Sequence, residues 1–274
     1  MIRVEGLNKT YGGVKACNDL TLAFEPGVTT AVVGPNGAGK STLVQLLSGV
    51  VMSDAGVIHL GEHNLTKMAA AQRYSLGLVR TFQTARVFPG LNVFDSVLIG
   101  AYNGLLYEER GFGLATTIAD ATSSLLRLPG WRARRAEAEH RAHSVIELFG
   151  DRLAPRLEHF TYSLSYANRR RVEIARALAS QPKVLVLDEP TAGMNPTETE
   201  QLTDILEQVK SDRPELTMVF IEHKMNVVRR MSKRVVVMDA GRVIADGTPD
   251  EALNDPLVID AYLGTGGRNA ADAG

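Results

Sequence analysis

Cysteine is nearly missing from the 274 residues. Cys17 stands alone, which excludes an internal disulfide and any cysteine-built zinc site and fits a reducing compartment. As a single thiol it is expected to be a small buried side chain. Net charge is equally scarce: 30 Lys and Arg face 31 Asp and Glu, a formal balance of −1, so nothing in bulk electrostatics draws the chain to nucleic acid or an anionic surface. No run approaches the roughly 20 apolar residues of a membrane-spanning helix. The opening Met1-Ile2-Arg3-Val4-Glu5 lacks the apolar core of a signal peptide, so service to a membrane is expected from outside the bilayer. No internal repeat is present.

What is abundant is apolar material, at 45% of residues, enough for a sizeable core and against disorder as the dominant state. Short β-branched runs at Ile2–Val4, Thr29–Val33, Val57–Leu60, Val184–Leu187, Met218–Ile221 and Val235–Met238 read as strands. Helical spacing separates several of them. Leu43, Leu46, Leu47 and Val50 fall at i, i+3, i+4 and i+7, as do Leu202, Ile205, Leu206 and Val209, the latter after a Thr197-x-x-Glu200 capping box. Alternation of this kind predicts an α/β fold with a mostly parallel sheet covered on both faces. Asp239-Ala240-Gly241-Arg242 instead suggests an antiparallel hairpin at a sheet edge. From about Pro89 to Phe160 strand patterning vanishes, so this Ala-, Leu- and Arg-rich stretch reads as an inserted helical lobe. Within it, Tyr102–Leu114 holds Gly104, Gly111 and Gly113 with little periodicity and reads as a loop or a partly ordered connection. Residues 264–274 are small and polar and are expected to fray.

Directly after Ala31-Val32-Val33 comes Gly34-Pro35-Asn36-Gly37-Ala38-Gly39-Lys40-Ser41-Thr42, a complete G-x-x-x-x-G-K-[ST] motif followed by a helical pattern. A triphosphate concentrates negative charge that must be held without intervening side chains. Glycines let backbone N–H groups approach it, and the next helix adds its positive end. Lys40 is then placed to reach the β and γ phosphates and Ser41 to ligate Mg2+. Val184-Leu185-Val186-Leu187 ends in Asp188-Glu189, at the strand end where α/β ligands bind. If this strand lies beside the loop's strand, Asp188 supports Mg2+ through water and Glu189 polarises the attacking water. Alone, two acids would be no more than a solvated strand end.

Leu164-Ser165-Tyr166-Ala167-Asn168-Arg169-Arg170-Arg171, just ahead of the acids, resembles the ABC transporter signature, commonly L-S-G-G-Q. Tyr11, Gln83, Ala192–Pro196 and His223 match further parts of that family's pattern in order, over nearly the whole chain. The resemblance implies a P-loop NTPase core at about 1–84 and 161–250 with an antiparallel β subdomain. It also implies a helical subdomain at about 85–160, and a C-terminal helix and tail at 251–274. It further implies that Tyr11 stacks on adenine, Gln83 meets Mg2+ and water, and His223 meets the γ-phosphate. Ser165, Ala167 and Asn168 would face the ATP of a second, homologous ATPase subunit, a heterodimer being favoured. Permease subunits would dock through the helical subdomain, with the protein peripheral on the cytoplasmic face of the membrane and no nucleic acid partner. Arg80–Gln83, Ala192–Pro196, Ile221–Met225 and Ala261–Gly264 resemble the branched-chain amino acid importer ATPases and their urea- or amide-importing relatives. A soluble ABC enzyme of translation or repair would carry tandem cassettes or a long coiled coil, and neither is here. A non-hydrolysing module would lack Glu189.

Arg132, Arg134 and Arg135, and Arg169–Arg171, read as solvated helix faces, with Glu137, Glu139 and Glu173 nearby to balance them. Ala167 and Asn168 depart from the glycine and glutamine of the common signature, and Asn195 from the usual aspartate. Ala167 adds a Cβ near the path expected for the partner's γ-phosphate, so the site this signature completes is expected to be the weaker of a pair. Ala167→Gly with Asn168→Gln should therefore raise the ATPase rate of the assembled complex in a phosphate-release assay. An unchanged or lower rate would reject that expectation.

Overall fold

The structure is a computed structural model describing residues 1–110 and 129–262. In chain order its elements begin with β1 (Ile2–Tyr11), β2 (Val14–Phe24), β3 (Thr29–Val33), α1 (Lys40–Ser48), β4 (Ala55–Leu60), β5 (His63–Asn64), α2 (Ala70–Ser75) and β6 (Leu78–Arg80). There follow α3 (Val93–Arg110), α4 (Pro129–Leu148), α5 (Tyr166–Ala179), β7 (Val184–Asp188), α6 (Pro196–Asp212), β8 (Thr217–Ile221), α7 (Met225–Met231), β9 (Arg234–Asp239), β10 (Arg242–Gly247) and α8 (Pro249–Leu253). Two compact units divide these residues. One takes 1–70, 186–190 and the described residues from 213 onward; the other takes the described residues of 71–185 together with 191–212.

The first unit holds an antiparallel sheet in the order β2-β1-β4-β5, and the order β10-β9-β3-β8-β7 in a second, mostly parallel sheet. β3, β7 and β8 are buried at all five positions, as strands covered on both faces must be. Each such Val, Leu or Ile contributes about 1.5–3 kcal/mol by leaving water. The expected edge hairpin is present: Ala240 and Gly241, at φ 45° and 78°, join β9 to β10, the outermost strand. Cys17 is buried, and desolvation pushes its thiol up to about 11, which keeps it protonated and weakly nucleophilic at neutral pH.

Several expectations need correction. β8 stands between β3 and β7, so the acid-bearing strand is not the immediate neighbour of the glycine-rich loop's strand. α1 stops at Ser48 because Gly49, at φ 72°, turns its N–H back to the carbonyls of Gln45 and Leu46; Val50 lies beyond the helix, half exposed. Tyr102 to Arg110 is helix, not loop. Gly104 there serves close packing within the second unit, as Gly100 does just before it: a Cβ on Gly104 would lie 2.6 Å from the Ser180 carbonyl oxygen, and one on Gly100 2.1 Å from that of Arg176. The remainder of that stretch, 111–114, and the tail 264–274 lie outside the described residues.

The arginine clusters are not uniformly solvated either. Arg134, Arg170 and Arg171 are buried, whereas Arg132 and Arg135 are exposed. The capping box of α6 also sits two residues earlier than expected. The Glu198 N–H donates to Asn195 Oδ1 at 2.9 Å and the Asn195 N–H to Glu198 Oε2 at 3.2 Å, with Pro196 at the first helical position. Thr197 is already inside the helix. Asn195→Ala should thus cost about 1 kcal/mol in chemical denaturation, whereas Thr197→Ala should stay within about 0.5 kcal/mol. Equal losses would contradict this placement of the cap.

Candidate functional site

β3 carries the chain to Gly34, where it leaves the sheet and folds back over the strand end into α1. Two of the loop's glycines are there because backbone presses on them. A Cβ on Gly34, at φ 145°, would lie 2.0 Å from the Met238 carbonyl oxygen, and one on Gly39, at φ 97°, 2.0 Å from that of Ala16. The tip of the β9–β10 hairpin adds a direct hold. Its Gly241 N–H donates to Ala38 O at 3.0 Å, while Gly241 O accepts from the Asn18 N–H at 2.9 Å. β2 and the hairpin therefore fix the loop's path from behind, a role that sequence reading did not assign to them. Pro35 and Ala38 are buried, Asn36, Gly37 and Ser41 exposed, and Thr42 half-buried. Gly39 caps α1 without a side chain, so first-turn N–H groups keep their capacity for an anion.

Lys40 is buried, 6% exposed, and its Nζ donates to Gly34 O at 2.7 Å and Pro35 O at 2.9 Å. Burial pushes its pKa down, and the negative charge of Glu189 opposes that shift. The Lys40 ammonium and the Glu189 carboxylate thus lie within electrostatic reach of each other. β7 ends at buried Asp188, and Glu189 follows in the left-handed region at φ 48°, a conformation unusual for any residue with a side chain. The Glu189 N–H donates to Ile221 O, at the end of β8, at 3.0 Å. That bond anchors the acid to the last residue of the intervening strand, next in order after β3. Glu189 Oε1 lies 3.3 Å from His223 Nε2. Buried Glu222 holds that turn, its Oε2 accepting from the N–H groups of His223 at 3.0 Å and Lys224 at 3.5 Å. Tyr11 stands at the end of β1, 45% exposed, with the Lys9 ammonium 5.4 Å from its ring centroid.

Gln83, Ser165, Ala167 and Asn168 belong to the second unit. Ser165 is the N-cap of α5, its Oγ accepting from the Asn168 N–H at 3.3 Å. Asn168 Oδ1 accepts from Arg171 Nη1 at 2.9 Å, so this departed residue is engaged within its own chain. Ala167 is buried, whereas Ser165 and Tyr166 are exposed. The Tyr166 hydroxyl donates to Gln83 O at 3.2 Å, and its ring covers Gly193, where a Cβ would lie 3.1 Å from it.

Among the described residues no group of three or more His, Cys, Asp and Glu could enclose a metal ion. A divalent cation at the loop would rely on Ser41, Asp188, water and the oxygens of a bound phosphate, the ligand set that Mg2+ favours. A glycine loop pressed against backbone from behind, a buried lysine and a carboxylate within its electrostatic reach fit a magnesium-bound nucleoside triphosphate.

Residues 17–192 match the ABC transporter family profile, and residues 242–268 match that of the branched-chain amino acid ATP-binding cassette transporter. The chain is 35% identical over 264 residues to the high-affinity branched-chain amino acid transport ATP-binding protein LivG of Escherichia coli, covering 96% of this chain and 98% of that one. It is 33% identical over 265 residues to BraF of Pseudomonas aeruginosa, a protein of the same description, with the same coverage. Among solved structures, a nucleotide-free ATP-binding cassette from an ABC transporter superposes with a TM-score of 0.76 at 28% identity, covering 96% of this chain and 98% of that one. The ADP conformation of such a cassette gives 0.73 at 28% identity with the same coverage.

Because its Cβ would collide with Ala16, Gly39→Ala should displace the loop and weaken nucleoside triphosphate binding by at least ~100-fold in titration calorimetry. Affinity within about threefold of the unaltered protein would show that β2 does not shape the loop.

Proposed function

The chain belongs to the ABC transporter family as one of its ATP-hydrolysing, ATP-binding subunits, and from that membership we propose that it energises uptake of branched-chain amino acids or a closely related solute. The C-terminal match at 242–268 and the descriptions of LivG and BraF support that cargo class. The observation that carries the mechanism is the Glu189–His223 contact at the ends of β7 and β8, within electrostatic reach of Lys40 at the head of α1.

In this reading the loop Gly34–Thr42 binds the triphosphate, and Lys40 exchanges the carbonyls of Gly34 and Pro35 for β- and γ-phosphate oxygens. Glu189 takes a proton from the attacking water, while His223 orients that carboxylate and contacts the γ-phosphate. Ser41 and Asp188 would hold Mg2+, with Gln83 a further ligand by family resemblance. Bound Mg2+ supplies neutralisation of phosphate charge. Tyr11 offers a flat face to adenine. Ser165, Ala167 and Asn168 complete the site of a second, related ATPase subunit, so two chains enclose two nucleotides. The helical subdomain at about 85–160 engages the permease, with the complex on the cytoplasmic face of the membrane. Among the described residues no helix is long and apolar enough to cross a bilayer, in keeping with a peripheral subunit.

Copurification with a multi-spanning membrane protein tests the assembly. Glu189→Gln tests the chemistry: ATPase should fall at least ~100-fold, the range expected for loss of a general base. The same variant should accumulate ATP-bound dimers in size-exclusion chromatography, because closure needs nucleotide whereas opening needs cleavage. Full activity in that variant would remove Glu189 from the mechanism.

A further inference from the structure

The segment after β6 carries Gln83, and its backbone is gripped almost wholly by one face of α5. Four residues at helical spacing make the hold: Tyr166, Arg170, Glu173 and Arg176. Glu173 Oε1 accepts from the N–H groups of both Phe82, at 3.1 Å, and Arg86, at 3.2 Å. Arg170 Nη1 donates to the Phe82 carbonyl and to Glu173 Oε2, the latter at 2.6 Å. The Tyr166 hydroxyl reaches Gln83 O, and Arg176 donates to Arg86 O. Both ends of the segment are therefore tied, its donors and acceptors alike. The central ion pair is dry, with the Arg170 and Glu173 side chains 1% and 2% exposed.

A buried carboxylate with a guanidinium on one oxygen and two amides on the other is satisfied in this arrangement. Displacing the segment would strand two amides and an acid in a water-poor setting. The bonded arrangement consequently resists gradual deformation of the segment against α5.

We propose that Glu173 and Arg170, with Tyr166 and Arg176, are positioning residues that make the 82–86 segment and the signature helix one rigid piece. A change of position at Gln83 is then delivered to the N-terminus of α5, where Ser165 stands, without loss in a slack loop. None of the four touches nucleotide in this account; they act through Gln83 and Ser165. The inference rests on the ATPase reading for its consequence, but its structural half stands without it.

Hydrogen exchange on the full-length protein and steady-state ATPase on the complex assembled with its second ATPase subunit test the two halves separately. In the unaltered protein a peptide spanning 80–88 should be protected. Glu173→Ala should speed its exchange by at least ~tenfold, and Glu173→Gln, which keeps an accepting oxygen but loses the charge, should fall between. Peptides on β3 and β8 should not change. In the same variants kcat for ATP should drop roughly tenfold with KM within about twofold, since the loop that binds phosphate is untouched. If Glu173→Ala fails to give a cooperative melt, Tyr166→Phe decides in its place. It removes only an exposed hydroxyl and should quicken exchange at 80–88 by about threefold. Unaltered exchange in the folded variants would overturn the clamp, and a loosened segment with unaltered kcat would overturn its role. Absence of turnover in the unaltered complex would count against the ATPase reading alone, because the exchange result does not depend on hydrolysis.

Discussion

Concentrated phosphate charge can be surrounded closely only by bare backbone, and backbone stays in so tight a loop only when something stiff stands behind it. In this chain the stiff support is the carbonyl of Met238 on one side and that of Ala16 on the other, each at a distance that no Cβ could share with Gly34 or Gly39. The hairpin tip at Gly241 completes it through Ala38. The Met238 carbonyl lies on β9, buried along its middle and paired with β3, so those apolar runs are part of the site as much as of the core, while the Ala16 carbonyl is supplied by β2 of the antiparallel sheet. Lys40, buried at the head of α1, meanwhile occupies the carbonyls of Gly34 and Pro35.

The acid is delivered by a different device. Since β8 separates β7 from β3, adjacency of strands cannot bring Glu189 to the loop. The chain instead turns past the strand end with Glu189 in the left-handed region, and one backbone bond to Ile221 fixes the turn on the neighbouring strand. Strain of about 1–3 kcal/mol at a side-chain-bearing residue persists only where surrounding contacts enforce it. His223, set by Glu222 at the end of β8, meets the carboxylate from the same direction.

Much of this was legible before any coordinates. The strand runs, the edge hairpin and the motif residues follow from period, turn chemistry and spacing, because these are local signals. Strand order is not local, which is why β8 between β3 and β7 went unforeseen. Helix ends were misjudged where two signals competed: Asn195 and Thr197 can both begin a capping box, and Pro196 at the first helical position decides for Asn195. Gly104 read as a loop residue because the sequence does not tell a flexible glycine from one pressed against a neighbouring backbone. Arg170 and Arg171 read as solvated because arginine usually is. Glu173, three positions after Arg170, was the available sign of an inward-facing pair.

Nucleotide chemistry and its consequence elsewhere thus rest on two kinds of rigidity, backbone wedged behind a loop and a dry ion pair clamping another. The first is the more fundamental. It is tested most directly by an experimental structure of the protein with magnesium and a non-hydrolysable ATP analogue. The γ-phosphate is expected between Lys40 Nζ and the Glu189 carboxylate, with Lys40 released from the carbonyls of Gly34 and Pro35 and the loop's path unchanged. Lys40 still bound to those carbonyls, or a phosphate remote from Glu189, would contradict it.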